Sequence, residues 1–281
     1  MKDIKRILEL NLALYKKYDI PIANLEEFVF GFKWAMAIDN NQKISFALRI
    51  GNEKPIAEYE SIIRELIGKP LDQCIVELLL KEDETLRTIL VVLSNLMSKP
   101  LNTVELLKDR GIERSEGLNF KYDVKDMKVG LIGYGVYIRF FLNKCKEFHA
   151  FDLLPEKQIL SYHISKNNTE VYPKNIYFHL GEDALKHTDV LKDLDIIIMS
   201  GSTLVNNSYL DILNACTNAK IKGIYGPSSE LSPDYLFEAG YNYIFSMNAK
   251  DSKTYLDCSF AAIPNFDTFE VMNLYELKKI N

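Results

Sequence analysis

Cysteine is scarce in this chain and badly spaced for a metal. There are four, Cys74, Cys145, Cys216 and Cys258, and no two stand closer than 42 residues. That spacing excludes a zinc ribbon or finger, which needs paired thiolates a few residues apart. Few, scattered thiols suit a reducing compartment. Histidine is equally sparse. His149, His163, His179 and His187 show neither HxH nor HExxH spacing, so they are expected to be structural or surface residues. No run of 18 apolar residues exists, so no membrane span is expected. The opening stretch leads from charged residues into an apolar run that Glu9 and Asn11 interrupt, which reads as an amphipathic helix and not as a signal peptide. Basic charge is not in excess either. Lys and Arg number 34 against 39 Asp and Glu, for a net charge of −5. A chain of that balance gains little from phosphate backbones, and nucleic acid is not an expected partner. Internal repeats and low-complexity segments are also lacking. The expectation is a cytoplasmic protein that neither spans nor binds a membrane.

What is present is enough apolar material for a large core: 47% hydrophobic residues in 281. That length allows two domains. Residues 3–18 carry Ile4, Ile7, Leu8, Leu12, Tyr15 and Tyr18 at helical spacing, and Pro21 follows. Residues 28–38 and 43–50 read as strands, with a hairpin turn at 39–42. From Ala57 to Met97 the period becomes helical. Leu86, Ile89, Leu90, Leu93, Leu96 and Met97 make one apolar stripe, with Arg87 and Asn95 off it. The first hundred residues therefore read as an α+β layer. A charged, aperiodic stretch follows. Beyond it, strands are expected at 128–132, 148–151, 175–178, 195–199, 221–225 and 243–245. Helices are expected at 136–145, 182–192, 207–217, 232–239 and 249–257. Continuous apolar strands alternating with helices predict an α/β fold with a doubly wound parallel sheet. The domains are set at 1–115 and 116–281.

Ligands in such sheets sit beyond the carboxyl ends of the strands. The residues found there are Gly133, Tyr134 and Gly135, then Asp152, then Gly201, Ser202, Thr203 and Asn206, then Gly226, Pro227, Ser228 and Ser229. A GxG turn with an acid 17 residues on invites a dinucleotide or S-adenosylmethionine. Ile138, however, stands where a third glycine would let helix and strand approach, so tight NAD binding is not expected. Each hydroxyl-rich loop precedes a helix, so one hydroxyl per loop is expected as an N-cap. Three hydroxyls plus Asn206 exceed that need, and the loops carry no Lys or Arg, so a polar ligand would rest on hydroxyls and backbone N–H groups. Ser202 lies outside any GxSxG elbow, and no nucleophile is indicated. Asp152 and Glu230 are candidate bases or cation ligands, with Glu230 expected to be a solvated carboxylate.

The run Asp195-Ile-Ile-Ile-Met-Ser-Gly-Ser-Thr-Leu-Val-Asn-Asn207, followed by Ile224-Tyr-Gly-Pro-Ser-Ser-Glu-Leu-Ser-Pro233, resembles the putative heavy-metal chelation family of prokaryotic proteins. Those carry T-G-T-T-L-V-N-type and G-P-S-T-P-L-S-P-type loops. Ser200 and Ser202 stand here where Thr is usual, and Glu230 replaces Pro. The resemblance implies a Rossmann-like C-terminal domain preceded by an enolase-N-terminal-like domain, in which Leu86–Ser98 corresponds to a helix ending in an N-A-L-S-type segment. It also implies handling of a metal ion or metal chelate, in an interdomain cleft on the present reading. Three functions stay open: binding or processing of a metal-chelating compound, an enzyme using S-adenosylmethionine or a nucleotide, and a non-catalytic assembly module. A homodimer is one assembly the sequence allows. If the domain boundary is right, limited proteolysis should cut within residues 108–127 before it cuts within 195–232. The reverse order would count against it.

Overall fold

A computed structural model describes residues 1–31, 33–50, 54–135, 137–154, 160–174, 176–181, 183–250, 252–260 and 272–280. In chain order the strands are β1 (Leu25–Phe30), β2 (Trp34–Asp39), β3 (Ile44–Leu48), β4 (Ile112–Glu116), β5 (Lys128–Ile132), β6 (Glu147–Asp152), β7 (Ser161–Ile164), β8 (Thr169–Tyr172), β9 (Tyr177–Leu180), β10 (Ile196–Ser200), β11 (Ile221–Tyr225), β12 (Tyr243–Ala249) and β13 (Met272–Lys279). The helices are α1 (Lys2–Tyr18), α2 (Ile56–Leu66), α3 (Leu71–Leu80), α4 (Arg87–Ser98), α5 (Val104–Asp109), α6 (Ile138–Phe141), α7 (Thr188–Lys192), α8 (Ser202–Val205), α9 (Tyr209–Ala215), α10 (Pro233–Glu238) and α11 (Ser252–Phe260). The fold is mixed α/β with a large, mostly parallel sheet. Among the described residues, no helix is long and apolar enough to cross a membrane.

The chain gathers into two compact units. The first holds residues 1–118, 201–207 and 224–281. Its β1, β2 and β3 form an antiparallel meander, with Ala35 facing both Phe30 and Ala47. The apolar run expected as one strand over 28–38 breaks after Phe30, where Gly31 N–H donates to Trp34 O and turns the chain back. The turn at 39–42 forms as expected, closed by Gln42 N–H on Asp39 O, with Asp39 Oδ1 taking the Asn41 and Lys43 N–H groups. Helix α4 lies at the centre of this unit and packs against β2, β3, α1, α3 and α8. All twelve of its residues are buried, not the apolar stripe alone. In the same unit β13 pairs antiparallel with both β12 and β4, a pairing the parallel-sheet expectation did not contain.

The second unit holds residues 119–200 and 208–223. Here β10, β5, β6 and β9 run parallel, in the order β11-β10-β5-β6-β9. The expected strands appear within a residue or two of their sequence positions. β9 is displaced by two residues, to Tyr177–Leu180; the exceptions are β12, which runs on to Ala249, and the hairpin β7–β8, which sequence reading missed. Asn175, Glu182 and Asp251, on which parts of the expected elements fall, lie outside the described residues. The helix expected over 136–145 is cut to α6, four residues, because Leu142 is extended and Asn143 takes a positive φ of 59°. Val136 also lies outside the description.

An ion pair ties the first unit together from its first turn. Arg87 Nη1 and Nη2 hold both carboxylate oxygens of Asp3, Nη1 at 3.2 Å, with both side chains buried. Burial alone would raise the Asp3 carboxyl, but the Arg87 hydrogen bonds and charge outweigh it and hold it at about 2. Its stabilising contribution is therefore complete above the ordinary value of 3.8 and is lost as pH falls toward about 2. Asp3→Asn should flatten that acid limb in a pH series of urea unfolding curves. Arg87→Ala, which leaves the buried Asp3 carboxylate to the N-terminal ammonium 3.3 Å away, should cost about 3 kcal/mol at neutral pH.

Candidate functional site

Glycine opens each of the loops singled out from sequence, and its N–H extends the ladder of hydrogen bonds to the next strand. Gly133 N–H donates to Phe151 O at 2.9 Å, Gly201 N–H to Tyr225 O at 2.6 Å and Gly226 N–H to Phe245 O at 3.1 Å. Gly133 and Gly226 do this at φ of 81° and 103°, which a side chain would make strained. Gly201 is needed for closeness: a Cβ there would stand 2.9 Å from Ser229 N and 3.1 Å from Ser228 Cβ. The loops after β10 and β11 thus touch backbone to backbone within the first unit.

Most of their hydroxyls face inward. Ser228 Oγ accepts the Leu48 N–H at 2.9 Å, and Ser229 Oγ donates to Gly226 O at 2.7 Å. Thr203, Ser228 and Ser229 are buried with Gly201 and Gly226, whereas Ser202 and Pro227 are half-buried and Asn206 is exposed. Ser202 and Thr203 lie inside α8, and Asn206 follows its last turn.

In the second unit the GxG turn and Asp152 come together. Asp152 Oδ2 accepts the Tyr134 N–H at 2.7 Å and Oδ1 accepts the Leu154 N–H at 2.9 Å. Gly135 O accepts from Ile138, the first residue of α6. Burial pushes the Tyr134 hydroxyl up, and its ring centroid lies 5.6 Å from that of Phe178.

The residues that sequence reading missed lie on α4 and the turn after it. Arg87 Nε donates to Leu204 O at 2.7 Å, at the end of α8. Asn95 Nδ2 donates to Phe46 O at 3.2 Å and Ser228 O at 3.3 Å. Ser98 Oγ accepts the Ser232 N–H at 2.9 Å. Lys99 Nζ pairs with Glu230 Oε1. Asn102 Nδ2 reaches Glu230 O and Leu231 O at 3.4 and 3.3 Å. Residues 95, 98, 99 and 102 recur at three- and four-residue steps, so one helical face clamps the loop from Ser228 to Ser232. The signal was present as polar residues interleaved in an apolar helix, but their partners lie far along the chain.

Glu230 corrects an expectation. It is 2% exposed, not solvated. Burial pushes its carboxyl up, opposed by the charges of Lys99 and Arg114, and Oε2 has no hydrogen-bond partner. The Arg114 guanidinium lies 4.0 Å from the centre of the Tyr275 ring, and burial followed by the Glu230 charge drives the Tyr275 hydroxyl far above its ordinary range. The loops themselves carry no cation, yet α4 and the residue after it bring Arg87 and Lys99 to them. Among the described residues, no group of three or more His, Cys, Asp and Glu is arranged to hold a metal ion.

Comparison with known proteins adds a family. Residues 119–258 match the model of DUF364, described as putative heavy-metal chelation. Residues 119–258 belong to this family. The segment contains every glycine-led loop described above. Two solved structures share the fold over nearly the whole chain. A protein of unknown function from the DUF364 family of Desulfitobacterium hafniense DCB-2 superposes with a TM-score of 0.67 at 16% identity, covering 98% of this chain and 99% of its own. A second, of unknown function from the same family in Pyrococcus horikoshii, gives 0.66 at 18% identity and covers 99% of each chain. No curated protein matches significantly.

The clamp has a direct test. Lys99→Met leaves Glu230 buried without its cation and should cost about 3–5 kcal/mol in urea unfolding, whereas Lys99→Met with Glu230→Met should recover most of it. A neutral single variant would show the pair to be unimportant.

Proposed function

We propose that the chain binds a small polar molecule that chelates a metal ion, contacting it through the loops Gly201–Asn206 and Gly226–Ser229. The observation that carries this reading is the pairing of two glycine-led loops, backbone against backbone at Gly201 and Ser229, held in one shape by a buried helix face. Loops fixed in this way offer N–H groups, hydroxyls and amides without rearrangement. Their donor set is neutral and hydrogen-bonding, which suits the polar rim of a chelate better than a bare ion. Ser202, Asn206 and Pro227 are the members with solvent access; Thr203, Ser228 and Ser229 shape the loops. The family description points the same way.

The S-adenosylmethionine or nucleotide reading rests on Gly133, Tyr134, Gly135 and Asp152. It has less support, because both Asp152 oxygens already hold backbone N–H groups and α6 spans only four residues. A Rossmann-like domain after residue 115, an enolase-N-terminal-like domain before it, a cytoplasmic location and a homodimer belong to this proposal as its finer terms.

A thermal-shift panel tests it with metal salts alone, metal–citrate and metal–siderophore complexes, nucleotides and S-adenosylmethionine. Saturation at about 100 times Kd stabilises by roughly 2.7 kcal/mol, a readable shift. Chelates should shift the midpoint and nucleotides should not; a nucleotide response alone would reverse the ranking. Ser202→Ala should then weaken chelate affinity with little change in Tm. Ser228→Ala should lower Tm, since it removes the acceptor of the half-buried Leu48 N–H, at about 1 kcal/mol.

A further inference from the structure

The three histidines that sequence spacing separates are neighbours in the second unit. Strands β6 and β9 pair in parallel with His149 opposite Tyr177 and Phe151 opposite His179. Side chains alternate along a strand, so Glu147, His149 and Phe151 share one face of β6, and Tyr177 and His179 share one face of β9. The rings meet across the pair, His149 on Tyr177 at 4.8 Å and Phe151 on His179 at 4.4 Å between centroids. His149 Nδ1 and His179 Nε2 stand 3.1 Å apart. Glu147 Oε2 lies 3.5 Å from His149 Nε2, and the exposed His187 ring lies 4.7 Å from that of His179.

We propose that His149 Nδ1 and His179 Nε2 bind a divalent transition ion of the zinc, copper or nickel class, with water or the ion's own chelator in its other positions. Three observations support this. The first is spacing. Two nitrogens bonded at 2.0–2.1 Å to one ion, at about 90–110°, stand about 2.9–3.4 Å apart. The observed gap falls inside that range, so β9 need not move against β6. The second is orientation. A carboxylate that takes one imidazole N–H leaves the other nitrogen free to ligate, and Glu147 is placed to do this for His149. His179 then carries its proton on Nε2 toward His149 in the metal-free pair. Ion binding moves that proton to Nδ1 through solvent, with no net release. The third is donor chemistry. Imidazole suits zinc, copper and nickel. The protein supplies two donors here, consistent with the lack of a three-residue group.

This proposal does not rest on the loop reading, since all its residues lie in the second unit. The test is calorimetric titration of the full chain with zinc, nickel and copper chlorides, alongside long-range proton–nitrogen spectra of the imidazoles. One ion should bind per chain, with the His149 and His179 nitrogens shifting to the metal-bound range. His149→Ala and His179→Ala should each weaken binding at least about tenfold, and Glu147→Gln by about 10–100-fold. His163→Ala, in the exposed hairpin strand β7, should change nothing. Where an alanine variant fails to fold, Glu147→Gln and the wild-type imidazole shifts decide. Absence of binding, unchanged affinity in the folded variants, or shifts confined to other imidazoles would overturn the proposal. None of these results would alter chelate binding at the loops.

Discussion

A buried helix face that holds a distant loop is the constraint on which the candidate site depends. Helix α4 has no solvent-facing side, so its polar residues must find partners inside the protein or leave buried groups unsatisfied, at about 1–3 kcal/mol each. Asn95 and Ser98, joined by Lys99 and Asn102 from the turn that follows the helix, find those partners in the segment Ser228–Ser232. The loop needs the helix for the same reason: its carbonyls and the Glu230 carboxylate lie where water does not reach. Either partner alone would be costly, and together they define one arrangement.

That arrangement bears on chemistry through the neighbouring backbone. Ser228 is gripped from three directions, by Asn95 at its carbonyl, by Leu48 at its hydroxyl and by the close approach of Gly201. Arg87 extends the same face to the end of α8 and ties it to Asp3. The two glycine-led loops are therefore attached to the middle of the first unit and differ from freely hinged surface loops. Glu230 lies buried in the second of these loops. The carboxylate introduces a charge that Lys99, one residue beyond α4, meets in an ion pair.

Much of the fold could be read from the sequence because it follows local period. The strand runs 128–132 and 195–199 and the stripe of α4 are dictated by which side chains must be buried, and they appear close to where periodicity puts them. The loops were legible as glycine-led turns at strand ends. What could not be read depends on partners distant in the chain. Arg87 and Asn95 stand out as polar residues beside an apolar stripe, but Asn95 meets a residue 133 positions away. Glu230 looks solvated because nothing near it in sequence is basic. The hairpin β7–β8 is exposed along nearly its whole length and so shows no burial pattern. His149, His179 and His187 are isolated until strand register brings them together.

Amide hydrogen exchange across Ser228–Ser232 measures the central constraint most directly, in the wild-type chain and in Asn95→Ala. The account expects these amides to be protected as strongly as those of α4, and Asn95→Ala to speed their exchange while α1 stays protected. Rapid wild-type exchange, typical of a surface loop, or exchange indifferent to Asn95, would contradict it.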